Sequence, residues 1–186
     1  MPNWWTEIDE RWTLFLDRDG VINRRLPGAY VRTIDEFEWL PGAAEAIARL
    51  NRLFGLTIVV TNQQGIGKGL MGEADLQRVH EHLLGELAAA GGRIDAIYHC
   101  PDLASRTPNC RKPAPAMALQ AQRDFPPIDF RRAVMVGDSI SDMEFGQQLG
   151  MRCVLVEGKG DKVSTLEKKP DLICRSLEEW ARLTRD

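Results

Sequence analysis

Apolar positions in this chain follow two rhythms. Short continuous apolar runs have the length and β-branched content of buried strands: Trp12 to Leu16, "LTIVVTN" from Leu56, Ile94 to His99, "AVMVGD" from Ala133, "RCVLVEG" from Arg152 and "DLIC" from Asp171. Between them the spacing turns helical. Ala43, Ile47, Leu50 and Phe54 recur on one face of a helix that Pro41 and Gly42 open and Gly55 closes. Leu76, Val79, Leu83 and Leu87 do the same in a helix starting about Glu73 and stopped by Gly91 and Gly92. Further helices are predicted from Pro113 to about Phe125, after Asp138 as far as Gly150, and around Leu177 to Leu183. "QQGIGKG" reads as a glycine-rich loop, and Pro101 to Lys112 as an irregular one.

Apolar strands alternating with amphipathic helices imply a parallel sheet covered on both faces, so the predicted fold is doubly wound α/β. An inserted domain needs at least about 50 residues of its own, and the predicted elements already fill the gaps. One domain spanning residues 1–186, without a cap, is therefore expected. In such sheets ligands bind beyond the carboxyl ends of the strands. That rule selects Asp17 with Asp19, Thr61 with Asn62, the loop ending at Lys112, and Asp138 with Asp142.

Composition narrows the partners. The 24 basic and 27 acidic residues are mixed along the chain, so no basic stripe advertises nucleic acid or an anionic membrane, and neither partner is expected. No apolar run approaches the ~20 residues of a membrane span, and "MPNWWTEIDE" lacks the pattern of a signal peptide. A cytoplasmic monomer is the expectation. In that compartment Cys100, Cys110, Cys153 and Cys174 are expected as reduced thiols, the last two as core residues.

The strand ends also suggest chemistry. Two acids two residues apart at the end of a buried strand repel one another and need a cation or a proton to be tolerable. Taken alone, Asp17 and Asp19 could form a solvated turn, and Thr61 with Asn62 could cap the next segment. If the ends converge, several carboxylates meet a lysine and a hydroxyl, a setting for Mg²⁺ and for a transferring phosphoryl group. A carboxylate nucleophile then forms an acyl phosphate, and the second acid protonates the leaving oxygen and later activates water.

"DRDGVIN", "VVTNQQG", "RKP" and "GDSISD", in that order, resemble the four signatures of the haloacid dehalogenase superfamily of aspartate-nucleophile phosphatases. The resemblance implies Asp17 as nucleophile and Asp19 as general acid and base. It implies Thr61 and the backbone of Asn62 as phosphate-oxygen contacts, and Lys112 as the balancing charge. Mg²⁺ would be held by Asp17, the Asp19 carbonyl and Asp138, with Asp142 nearby. Within the superfamily, "YVRTIDEFEWLPGAAEAI", "TNQQGIGKG" and "CRKPAPAM" are similar to heptose bisphosphate phosphatases, with histidinol-phosphate phosphatases as relatives. That likeness implies a sugar bisphosphate as substrate and a substrate-binding role for Arg111.

One departure concerns zinc. Those families carry a four-ligand loop before the Arg-Lys-Pro, whereas only Cys100 and Cys110 stand at its positions here, too few for the four ligands structural zinc prefers. Zinc is not expected. Lys68 is read as lying outside the substrate contacts, Arg24, Arg25 and Arg32 as solvated, and His80 and His82 as non-ligands. Competing readings are a catalytically silent scaffold on this fold and a redox or zinc module built on Cys100 and Cys110.

Overall fold

The computed structural model describes residues 3–157 and 166–184. Six strands form one sheet: β1 (Thr13–Leu16), β2 (Leu56–Asn62), β3 (Ala96–Cys100), β4 (Ala133–Gly137), β5 (Arg152–Val156) and β6 (Leu172–Cys174). Their order is β3-β2-β1-β4-β5-β6, and every pairing is parallel. All six predicted strands are present, and the sheet is the expected doubly wound type. Gly158, the last residue of the predicted fifth strand, lies outside the described residues.

Side-chain alternation sorts the core into two layers. Leu14 and Leu16 of β1 join Val59, Val134, Val136 and Val154 on one face, together with Ile47, Leu50, Val79, Leu83, Leu87 and Trp180. Those partners come from α1 (Ala43–Leu50), α3 (Glu73–Ala89) and α6 (Leu177–Leu183). Phe15, Ile58, Val60 and Met135 face the other way, among Met117 and Ala121 of α4 (Ala116–Asp124) and Phe145 of α5 (Ile140–Gln148). Burying each such large side chain stabilises the fold by roughly 1.5–3 kcal/mol. No helix among the described residues is long and apolar enough to cross a membrane.

Three expectations are corrected. "QQGIGKG" is not loop throughout, because Gln64–Gly67 makes one turn of helix, α2. Its glycines permit close packing: a Cβ on Gly67 would stand 2.4 Å from the Pro101 carbonyl oxygen. The first helix ends at Leu50, and residues 51–53 continue only as turns toward Phe54. Cys100 and Cys110 are joined in a disulfide, while Cys153 and Cys174 are free and buried. The loop leaving β3 returns to its starting point, setting the two Cα atoms 5.5 Å apart, within bonding reach.

Pairing registers position the site. Leu16 pairs with Val59 on one side and Val136 on the other, so Asp17 emerges between the ends of β2 and β4, where the strand order reverses. Helix α5 lies close behind: a Cβ on Gly146 would sit 2.8 Å from the Met135 Cβ and 2.7 Å from the Cys153 sulfur. Gly146→Ala therefore overpacks this contact. Thermal denaturation should show destabilisation by about 1–3 kcal/mol despite alanine's better helix propensity; unchanged stability would refute the tight packing.

Candidate active site

Lys112 sits at the centre. Its buried ammonium lies 2.8 Å from Asp17 Oδ1 and 2.6 Å from Asp142 Oδ1, and donates to the Val60 carbonyl at 2.7 Å. An ammonium has three donors, and all are engaged. Burial opposes its charge, but Asp142 and Asp17 hold its pKa above the usual lysine value. Asn62 fixes the lysine from behind, its Oδ1 accepting from the Lys112 backbone N–H at 2.9 Å. The Asn62 side chain thus ties β2 to the incoming loop, a role its sequence position did not suggest.

Asp142 is fully buried at the start of α5, where Ser139 caps the helix. Ser139 Oγ donates to Asp142 Oδ2 at 2.5 Å, and the Ser139 N–H does so at 3.1 Å. The same carboxylate therefore completes a capping box and holds Lys112. Asp138 approaches the turn after Asp17 because residue 20 is glycine: Gly20 has φ +97°, and a Cβ there would fall 2.0 Å from Asp138 Oδ2. Arg25, expected to be solvated, instead donates to Asp138 Oδ1 at 2.7 Å. Arg24 and Arg32 are paired with Glu38 and Glu36 at the surface.

Asp19 is held by a different set. Arg18 Nη2 reaches both of its oxygens at 3.0 Å, Asn23 Nδ2 donates to Oδ1 at 2.9 Å, and Gln63 Nε2 donates to Oδ2 at 2.8 Å. Burial pushes this carboxyl upward, but the Arg18 charge and the donors from Asn23, Arg18 and Gln63 keep it below the usual range. Gln63 Nε2 also donates to Thr61 Oγ1 at 2.9 Å, so the threonine hydroxyl retains its own proton for another acceptor.

The carboxylates fit a hard cation. Asp17, Asp138 and Asp142 are buried and each offer an oxygen within 4.8 Å of the others'. Burial and then the Asp17 charge raise Asp138 to about 7, with Arg25 opposing. Asp17 is also raised, by burial first and by Asp142, against the pull of Lys112. Three acids crowded with too little positive charge form an oxygen donor set suited to Mg²⁺. At Cys100 and Cys110 the sulfurs are bonded to each other, and Asp102 accepts from the Cys110 N–H at 3.1 Å.

These groups open into a cavity of about 500 Å³. Asp17, Asp19, Thr61 and Lys112 lie on its wall with Arg25, Tyr30, Lys68 and Arg111. Lys68, on the same lining, stands 5.3 Å from the Tyr30 ring centre. Sequence reasoning missed Arg25, Gln63 and Tyr30, which reach the site only through loop conformations.

Two acids just beyond the central strand, the first held by a lysine from a distant loop and the second by an arginine, an asparagine and a glutamine, are the arrangement of a phosphatase of the haloacid dehalogenase type. Residues 109–180 match the HAD-hydrolase-like family. The D-glycero-alpha-D-manno-heptose-1,7-bisphosphate 7-phosphatase of Mycobacterium bovis is 46% identical over 139 residues, 75% of this chain and 73% of that one. The D-glycero-beta-D-manno-heptose-1,7-bisphosphate 7-phosphatase of Pseudomonas putida is 40% identical, covering 93% of this chain and 97% of its own. The crystal structure of D,D-heptose 1,7-bisphosphate phosphatase from B. bronchiseptica, complexed with magnesium and phosphate, superposes with a TM-score of 0.83 at 34% identity, covering 92% of this chain and 97% of that one. The chain belongs to this heptose bisphosphate phosphatase family of haloacid dehalogenase-like enzymes.

The raised Asp138 pKa carries a stability prediction. A carboxyl whose folded pKa exceeds its unfolded value contributes stability fully present below the unfolded pKa and lost as pH rises through the folded one. Metal-free protein should therefore lose stability from about pH 4 to about pH 7, through Asp138. At pH 8, Mg²⁺ at about a hundredfold excess over its Kd should restore about 2.7 kcal/mol. At pH 5 protons compete and the gain should shrink. Thermal melts of wild type and Asp138→Asn check this, the variant losing the metal response; a wild-type melt indifferent to Mg²⁺ at pH 8 would contradict it.

Proposed function

We propose that this phosphatase removes the 7-phosphate of a D-glycero-D-manno-heptose 1,7-bisphosphate through an aspartyl-phosphate at Asp17. The observation that carries the reading is the shared cavity: the buried Asp17 and Lys112 line it together with Lys68, Arg111 and Tyr30. A monophosphate needs one anion site. Two further cations and a hydroxyl suit a second phosphate on the same sugar. Homologues named for heptose 1,7-bisphosphate support the same substrate.

Asp17, held by Lys112 with one oxygen toward the ammonium, attacks phosphorus with the other. The new bond joins Asp17 to the phosphoryl group as the bond to the sugar oxygen breaks, and Asp19, ionised in the free site but protonated when the approaching phosphate anion raises its proton affinity, gives that proton to the leaving oxygen. The Thr61 hydroxyl, its acceptor side occupied by Gln63, donates to a phosphoryl oxygen, as does the Asn62 backbone N–H. Asp19 then takes a proton from the water that attacks the phosphoenzyme, which frees phosphate and restores Asp17. Mg²⁺, held by Asp17, Asp138 and the Asp19 carbonyl, would neutralise charge on the carboxylates and the transferring group. Asp142 serves through Lys112, fixing the ammonium between two carboxylates.

Phosphate release should favour heptose 1,7-bisphosphate over histidinol phosphate and sugar monophosphates. Lys68→Gln and Arg111→Gln should each lower kcat/KM for the bisphosphate about tenfold, the loss of roughly one charged hydrogen bond, with little change for heptose 7-phosphate. Equal losses on both substrates would refute the second-phosphate site, and a preference for histidinol phosphate would replace the substrate. Asp17→Asn should abolish turnover while its circular dichroism stays native; retained turnover would overturn the nucleophile.

A further inference from the structure

Behind Asp19 lies a buried assembly that the reaction steps above leave unused. Strand alternation continues beyond β1, so Arg18 follows Leu14 and Leu16 toward the sheet face covered by α3. None of its side chain is exposed. There Nη1 meets His80 Nε2 at 3.1 Å, while Nη2 spans both oxygens of Asp19. A guanidinium only donates, so His80 Nε2 is the acceptor and the imidazole carries its proton on Nδ1. Burial, then the Arg18 charge, holds His80 neutral by pushing its pKa down to about 3. The His80 ring packs 6.3 Å from that of His99, whose Nε2 lies 2.8 Å from Glu73.

This is a costly way to fill a core position. A buried charge needs partners on every side to repay its desolvation. Yet Arg18 has one ion-pair partner among the described residues, Asp19, and its Nε has no hydrogen-bond partner there. An apolar side chain would fill the layer beside Leu16 without that penalty. What Arg18 contributes instead is direction. With Asn23 and Gln63 it gives each Asp19 oxygen two donors, fixing the carboxylate on the wall of the cavity that also holds Asp17.

We propose that Arg18, seated by His80, is a positioning residue that holds the Asp19 carboxylate in line with the leaving oxygen of the substrate. The proposal rests on the reading of Asp19 as the acid and base. His80 touches no part of the cavity and acts two side chains away from the proton.

The test compares kcat/KM, which reports the steps through phosphoryl transfer, on two leaving groups. A sugar alkoxide needs the Asp19 proton, whereas p-nitrophenolate leaves without it. His80→Leu, which cannot accept from Arg18, should lower kcat/KM for the sugar phosphate about tenfold, a tenth or less of the usual general-acid contribution. On p-nitrophenyl phosphate it should change by less than about twofold. His80→Gln, whose amide oxygen can accept from Nη1, should recover most of the loss. Arg18→Lys keeps the charge but cannot span His80 and Asp19, and should show the same selective loss if His80→Leu does not fold. Equal losses on both substrates, or none, would overturn the proposal. Asp19→Asn run in parallel separates the two readings: if it lacks the selective loss, the acid assignment fails, and if it alone shows it, the positioning role fails.

Discussion

The Asp17 side of this site depends on a single ammonium. Lys112 meets Asp17 just beyond β1, the Val60 carbonyl from β2 and Asp142 from α5, so three separate segments are tied through one buried charge. Such a charge is tolerable only when every donor is engaged, and removing one partner of a buried pair typically costs about 3–5 kcal/mol. The arrangement is therefore rigid as well as charged. It holds Asp17 with Oδ1 against the ammonium, which fixes the direction of the proposed nucleophile.

The two acids of the first signature live in opposed environments, which suits the separate tasks proposed for them. Asp17 sits among buried carboxylates and is raised, while Asp19 sits among donors and is lowered. Gly20 brings Asp138 against the same turn, which concentrates negative charge on the Asp17 side alone. On the proposed reading a cation sits on that side and proton transfer takes place on the other. One short turn, "DRDG", thus feeds two half-sites because strand alternation sends Arg18 backward while both acids face the cavity.

Much of this was legible in the sequence, for physical reasons. Continuous apolar runs revealed all six strands, and the rule that parallel sheets bind ligands at strand ends selected Asp17, Asp19, Thr61, Lys112 and Asp138 before any geometry was known. What escaped depends on contacts distant in sequence. Arg25 looked solvated because nothing local predicts that its loop folds back onto Asp138, 113 residues away. The Arg18–His80 contact was hidden because its two residues stand 62 positions apart in sequence. The Cys100–Cys110 bond follows from a loop returning on itself, and composition spoke only to the compartment. The helical turn over Gln64–Gly67 was hidden by glycines that serve close packing against Pro101 rather than flexibility.

The central claim is that the phosphoryl group passes through Asp17. Its most direct test is to quench the enzyme in acid during turnover of its preferred sugar phosphate, reduce acyl phosphate with borohydride, digest with trypsin and analyse the peptide spanning residues 12–18 by mass spectrometry. Homoserine should stand in place of aspartate at position 17, and at no other position. An unmodified peptide under conditions of demonstrated turnover, or homoserine at another carboxylate, would contradict it.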